Sequence, residues 1–203
     1  MYHRSLFLTV LLLVTYICIT HAQQTPFTRV YYTPIGSTQA CSITKTLDNH
    51  YILAGTKDYI GMAMKVDGAG DISWIRKIGP YMSQLSCVTA SQDSCFLLAG
   101  TKGFNQTYGD LYMVKITTAG DTVWTRSYPG SSASISSLQM TSDHGFILAG
   151  VQSDNSTTVR MLVIKLNASG QVEWSKTYLS GLVSVKQKTY GFSAREMPGG
   201  GYL

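Results

Sequence analysis

Lys65, Lys115 and Lys165 stand 50 residues apart, each inside an apolar run. Three ammonium groups at one phase could ring a central channel and attract anions. The alternative is that each alkyl stem lies along a neighbouring tryptophan and its charge emerges at the edge. Trp74, Trp124 and Trp174 keep the same step, and Lys65 and Trp74 flank one turn, which favours the second reading. Arg76, Arg126 and Lys176, with Arg29 upstream, recur two residues after an aromatic. They form either a basic stripe for acidic glycans or charge that keeps an outer strand from pairing, and the latter is favoured.

Other candidates are thinner. Asp67-Gly68-Ala69-Gly70-Asp71 resembles part of a calcium loop. The sister turns Thr117–Asp121 and Asn167–Gln171 lose carboxylates, and no glutamate closes a ligand set. His50 and His144 lie in turns beside Asp48 and Asp143, and Cys95 takes the histidine side of the middle turn. Zinc sites need several ligands at fixed spacing, so turn filler is the favoured reading. No Gly-x-Ser-x-Gly elbow, phosphate loop or His-Glu-x-x-His helix occurs. Catalytic, cofactor-binding and metal residues are therefore assigned as none. A rival enzymatic reading, a carbohydrate-active hydrolase or lyase, would rest on His50, Asp58, Asp110 and Asp154.

The elements that carry these residues repeat. Gly70, Gly120 and Gly170 share the 50-residue step. Apolar runs end in Ala-Gly at Gly55, Gly100 and Gly150. Within the third copy, 135–141, 146–151, 159–166 and 172–178 read as strands, the last alternating strictly. Asn167–Gly170 is a tight turn whose glycine needs positive φ. Copies of about 37–79, 80–130 and 131–181 are flanked by partial units at 23–36 and 182–203. Phe27-Thr28-Arg29-Val30-Tyr31 matches Trp124–Tyr128, and Gly199–Leu203 matches the stretch near Gly145–Ile147. A fixed period of this length marks a repeat architecture.

Composition agrees with a globular β chain: 44% hydrophobic, 13% charged, 19 Gly and 13 Tyr. Net charge is +5 and dispersed, which argues against nucleic-acid binding. Arg4, the apolar stretch Leu6–Ile19 and Thr20-His21-Ala22 read as a cleavable secretory signal over residues 1–22. About 14 apolar residues fall short of a membrane span. Lipid attachment at Cys18 is disfavoured by the large Ile17 before it. Cys41, Cys87 and Cys95 remain in the mature chain, an odd number, with pairing left open. Asn105, Asn155 and Asn167 head glycosylation sequons.

Asp143-His144-Gly145-Phe146-Ile147-Leu148-Ala149-Gly150, Tyr112-Met113-Val114-Lys115 and Trp174-Ser175-Lys176-Thr177-Tyr178 resemble the units of secreted, mostly bacterial tandem propeller-type repeat proteins. The resemblance covers about residues 27–203. It implies an exported or cell-surface propeller-like domain and no catalytic residues. Kelch propellers are a weaker likeness, since they want Gly-Gly where this chain has Ala-Gly. The expected architecture is all-β, a propeller-like array of four-stranded antiparallel blades, incomplete; it is read as a fragment of a longer protein, in preference to the outer pieces joining as one incomplete blade. The expected role is binding or scaffolding outside the cell, with an extracellular protein or glycan as partner, no cofactor and no membrane span after signal cleavage.

Overall fold

The computed structural model describes residues 37–105, 108–154, 158–179 and 188–203. The signal segment 1–22, Cys18, the partial unit 23–36 with Arg29, and the two sequon loops that begin at Asn105 and Asn155 lie outside the described side chains.

Among the described residues there is no helix, and eleven strands alternate with turns. In chain order they are β1 (Thr38–Lys45), β2 (Tyr51–Lys57), β3 (Ile60–Val66), β4 (Ile72–Tyr81), β5 (Ser83–Ala90), β6 (Phe96–Asn105), β7 (Tyr108–Ile116), β8 (Thr122–Met140), β9 (Phe146–Asp154), β10 (Thr158–Leu166) and β11 (Val172–Tyr178). Within each sheet, strands that follow one another in sequence pair antiparallel, whereas β4 and β5 do not pair.

β1–β4 form a four-stranded sheet and β5–β11 a seven-stranded one. The larger sheet departs from separate four-stranded units. β8 is 19 residues long and serves two neighbours. Its first half pairs with β7, and its second half, from Ala133, pairs with β9. Gly130 and Ser132, at φ 72° and 43°, separate the halves. Three four-stranded meanders result: β1–β4, β5 to early β8, and late β8 to β11.

The first strand of each meander carries a one-residue bulge at the same place: Cys41, Ser86 and Ser136. That bulge explains the Ala-Gly step. A Cβ on Gly55, Gly100 or Gly150 would stand 2.0, 1.9 or 2.1 Å from the carbonyl oxygens of Gln39, Gln84 and Ser134. No side chain fits there, so glycine is required by proximity rather than by dihedral angle.

The meanders pack face against face. Ile52, Ala54, Ala63 and Ile78 of the first share a core with Leu85, Phe96, Leu98, Val114 and Ile116 of the second. The second meander's opposite face, with Leu97, Ala99, Leu111 and Met113, shares a core with Ile135, Phe146, Leu148, Ile164 and Leu166 of the third. Strand alternation puts Phe96 and Leu97, or Phe146 and Ile147, into two different junctions. Each fully buried Leu or Phe contributes on the order of 2 kcal/mol. The first strands also touch one another, with Val88 N donating to Ser42 Oγ (3.2 Å) and Ser86 Oγ to the Ile135 carbonyl (2.6 Å).

Residues 188–203 lie against the third meander, where Ala194 is buried with Ile147 and Ala149. Their turn follows the pattern of the earlier first hairpins. Met197 N bonds the Gly201 carbonyl, as Thr46 N bonds His50, Ser91 N bonds Cys95 and Thr141 N bonds Gly145.

Candidate functional site

The three lysines occupy matching cross-strand rows. Lys65 lies between Ile52 and Trp74, Lys115 between Leu97 and Trp124, and Lys165 between Ile147 and Trp174. Their ammonium groups do not emerge at a sheet edge, which corrects the sequence expectation. Each turns into the hairpin between the first two strands of its own meander and meets an aspartate. Lys65 Nζ reaches Asp48 Oδ2 at 2.8 Å, Lys115 reaches Asp93 at 2.7 Å, and Lys165 reaches Asp143 at 2.7 Å. Lys165 also bonds Glu173 at 2.9 Å and is 2% exposed. The lysines therefore close internal ion pairs and form no channel ring.

Each aspartate also accepts from a hydroxyl two residues earlier: Thr46 for Asp48, Ser91 for Asp93 and Thr141 for Asp143. This is the local turn chemistry that Asp, Ser and Thr provide. It leaves Asn49, Ser94 and His144 at positive φ of 61°, 60° and 64°. The hydrogen bonds from Lys65 and Thr46 hold Asp48 below the usual carboxylate range. Around Asp93, burial opposes ionisation, but Lys115 and Ser91 outweigh it and the carboxyl is lowered to about 2. Lys165 and then Thr141 lower Asp143 to about 2. Burial works against the charge on Lys165, yet Asp143 and Glu173 prevail and raise its pKa.

The tryptophans link one meander to the next. Trp74 lies against the turn at Gly120, where a Cβ would come within 3.2 Å of the indole, and its Nε1 donates to the Thr118 carbonyl at 3.3 Å. Trp124 covers Gly170 more closely, at 2.6 Å. Arg126 Nε and Tyr128 Oη donate to the carbonyls of Ser169 and Gly170 at 3.2 and 2.7 Å. Gly70, Gly120 and Gly170 have φ of 83°, 88° and 79°. Arg76, Arg126 and Lys176 stand over the preceding indoles at 5.9, 5.2 and 5.7 Å from the ring centroids. That is cation–π geometry, so these cations cover tryptophan instead of forming a separate basic stripe.

The remaining candidates are dispersed. Asp67 Oδ1 accepts from the backbone of Ala69 and Asp71, so it closes its own turn. His50 Nδ1 faces the Asp48 carbonyl at 2.9 Å. Asp58 pairs with Lys77, Asp110 accepts from Gly130 N, and Asp154 pairs with Arg160. Asn167 Oδ1 accepts from Ser169 and Gln171, which engages that sequon in its turn. No group of three or more His, Cys, Asp or Glu suited to a metal occurs among the described residues. Burial raises the Cys87 thiol to about 11, and burial followed by Asp93 raises Cys95. Cys41 is raised by burial as well, and all three are unpaired. Raised thiols are poor nucleophiles.

Two clefts open beside the aspartate hairpins. One, of about 450 Å³, runs between the first and second meanders and is lined by Thr46, Leu47, Asp48, Gln92, Ser94 and Cys95 among others. A smaller one, of about 150 Å³, lies between the second and third beside Asp93, Lys115 and His144. Leu47 projects at the larger mouth, 95% exposed. An apolar tip over hydroxyl, amide and carboxylate groups suits binding of a mixed polar surface.

No protein-family model matches the chain. No curated protein matches it in sequence. Solved structures to which it is similar include a crystal structure of the eukaryotic initiation factor, at 10% identity and TM-score 0.48, with 76% of this chain and 36% of that chain covered. Another is selenomethionine-substituted virginiamycin B lyase from Staphylococcus aureus, at 13% identity and TM-score 0.30, with 70% and 71% covered. The chain thus spans about a third of the initiation-factor chain. Neither likeness defines the architecture, which rests on the strand pairing and packing above.

Proposed function

We propose that this chain is an exported, propeller-like recognition or scaffold module, built from tandem four-stranded blades of the secreted repeat type. Its contact surface is the end that carries the aspartate hairpins, and its partner is an extracellular protein or glycan. One observation carries the reading. Lys–Asp pairs of one geometry hold three hairpins whose tips differ: Asn49-His50, Ser94-Cys95 and His144-Gly145. A constant frame with variable tips is how rigid scaffolds present binding loops. The signal-like composition of residues 1–22 and the dispersed charge support this reading.

The test is binding of the full chain to arrayed glycans and extracellular proteins. Leu47→Asp with Gln92→Ala should weaken capture at least about tenfold, the scale expected when a central contact is removed. The melting temperature should stay unchanged, because Leu47 is exposed. Undiminished capture by the double variant would place the contact surface elsewhere. Cleavage of an arrayed polysaccharide, lost in Asp110→Asn, would favour the hydrolase or lyase reading.

A further inference from the structure

The end of the first meander opposite the aspartate hairpin breaks two local rules. The turn from β2 to β3 has two residues, Asp58 and Tyr59, at φ 52° and 62°. A turn of that backbone form favours Asn-Gly, and a ring-bearing residue at its second place is strained. The link from β4 to β5 sets Met82 at φ 59°. The matching link between the second and third meanders reads Ser131-Ser132, with Ser132 at φ 43°, where this one reads Tyr81-Met82. Large side chains thus stand where the backbone favours small ones. They are not there to fill the core. Tyr59 is 59% exposed, Tyr81 is 67% exposed, and Met82 is exposed as well. Strain retained under an exposed aromatic is a mark of function.

The two tyrosine rings meet edge to face, with centroids 6.1 Å apart and planes at 62°. The backbone beneath them is tied together. Ser83 N donates to the Tyr59 carbonyl at 3.1 Å, and Gly103 N donates to the Met82 carbonyl at 2.8 Å. The Ser83 hydroxyl is fully buried; it donates to the Pro80 carbonyl at 2.6 Å and accepts from Gly61 N at 2.9 Å. Turn and link therefore make one platform, whose residues need little ordering when a ligand arrives. Cations rim it. Lys57 precedes the turn, Lys77 pairs with Asp58 at 3.0 Å, and Lys102 stands over the Tyr112 ring at 5.9 Å. Asp110 lies opposite Lys102 across β6 and β7. Three lysines against Asp58 and Asp110 leave the rim net positive.

We infer that Tyr59 and Tyr81 form a second binding site, for an acidic glycan of the uronic-acid class. A tyrosine ring face receives the flat C–H face of a pyranose, and its hydroxyl stays free to bond a sugar hydroxyl. Lys57 and Lys102 attract the uronate carboxylates. Asp58 and Asp110 in the same rim oppose a flat anionic bilayer, yet they offer acceptors to sugar hydroxyls, so the mixed rim suits a saccharide better than a lipid surface. The site lies at the other end of the strands from the aspartate hairpins and is independent of the contact surface proposed there.

The experiment measures, by titration calorimetry, binding of the full chain to hexasaccharides of hyaluronan, alginate and polygalacturonate, with chitohexaose as the neutral control. The expected result is saturable binding of at least one acidic sugar, with chitohexaose bound about tenfold more weakly or worse. Tyr81→Ser, which copies the matching link, and Tyr59→Asn, which suits the left-handed backbone, should each weaken that binding at least about tenfold. Both variants should melt at or above the parent temperature, because each relieves a strained or exposed position. Leu47→Asp should bind the sugar as the parent does. Four results overturn the inference. These are binding of none of the acidic sugars, equal affinity for chitohexaose, full affinity in both tyrosine variants, and loss of affinity in Leu47→Asp, which would move the sugar to the hairpins. Capture by phosphatidylglycerol vesicles that the sugars fail to compete would also overturn it, making a lipid surface the partner.

Discussion

Three lysines that sit among Ile, Leu and Trp would be costly without a partner, because desolvation of an ammonium opposes its charge. The aspartates make the arrangement tolerable, and the two sides of each pair are not equivalent. Asp93→Asn leaves the ammonium of Lys115, 10% exposed, against a neutral amide. It should lose about 2 kcal/mol at pH 7, toward the low end because a half-exposed carboxylate is screened. Lys115→Met removes the charge together with its desolvation cost and should lose less than about 1 kcal/mol. Urea unfolding of both variants checks the order. The pH dependence has a definite sign. Asp93 is lowered to about 2 in the folded chain, so the unfolded chain takes up its proton first as pH falls from about 4. The contribution is complete above that range and gone below about 2. The gap between wild type and Asp93→Asn should therefore close across this window, and a gap that persists at pH 2 would contradict the pairing.

At the level of the strand, glycine acts in two ways. Gly100 is needed because the bulged neighbour brings the Gln84 carbonyl within 1.9 Å of any Cβ, whereas Gly103 has φ 62° and open space around it. Gly100→Ala should cost about 3 kcal/mol, since backbone must move. Gly103→Ala should cost about 1 kcal/mol from the dihedral alone. Thermal melts that rank them in the reverse order would refute the bulge explanation. The same contrast shows what could be read from the chain. The turn glycines were legible because they recur at 50 residues and open a polar turn before an alternating strand. The strand limits of the third unit were legible from alternation. The cause of Ala-Gly was hidden, because the bulged residues Cys41, Ser86 and Ser136 share no one side chain. The aspartates were hidden by spacing. They precede their lysines by 17, 22 and 22 residues, because the second and third strands of the first unit are shorter than those of the other two, so Asp48 falls out of the common period. The signal that would have found them is a hydroxyl residue two positions before Asp, present in all three units.

The stack as a whole is graded in protection. The second meander is covered on both faces, by the first through Leu98 and Val114 and by the third through Leu97 and Met113. Among the described residues, the third has one face covered only in part. Amide exchange should be slowest in β6 and β7 and faster in β10 and β11. Exchange rates measured by mass spectrometry that place β10 among the slowest amides would mean the third face is shielded. β8 adds a second expectation of the same kind: because one strand belongs to two meanders, those two should open together.

The coverage of each indole by the turn of the following unit also sets an order in time. A chain leaving the ribosome carries Trp74 into water long before Gly120 has been translated, and Trp124 before Gly170. Every unit is thus finished by the one that comes after it, so nascent chains are greasiest at their newest end.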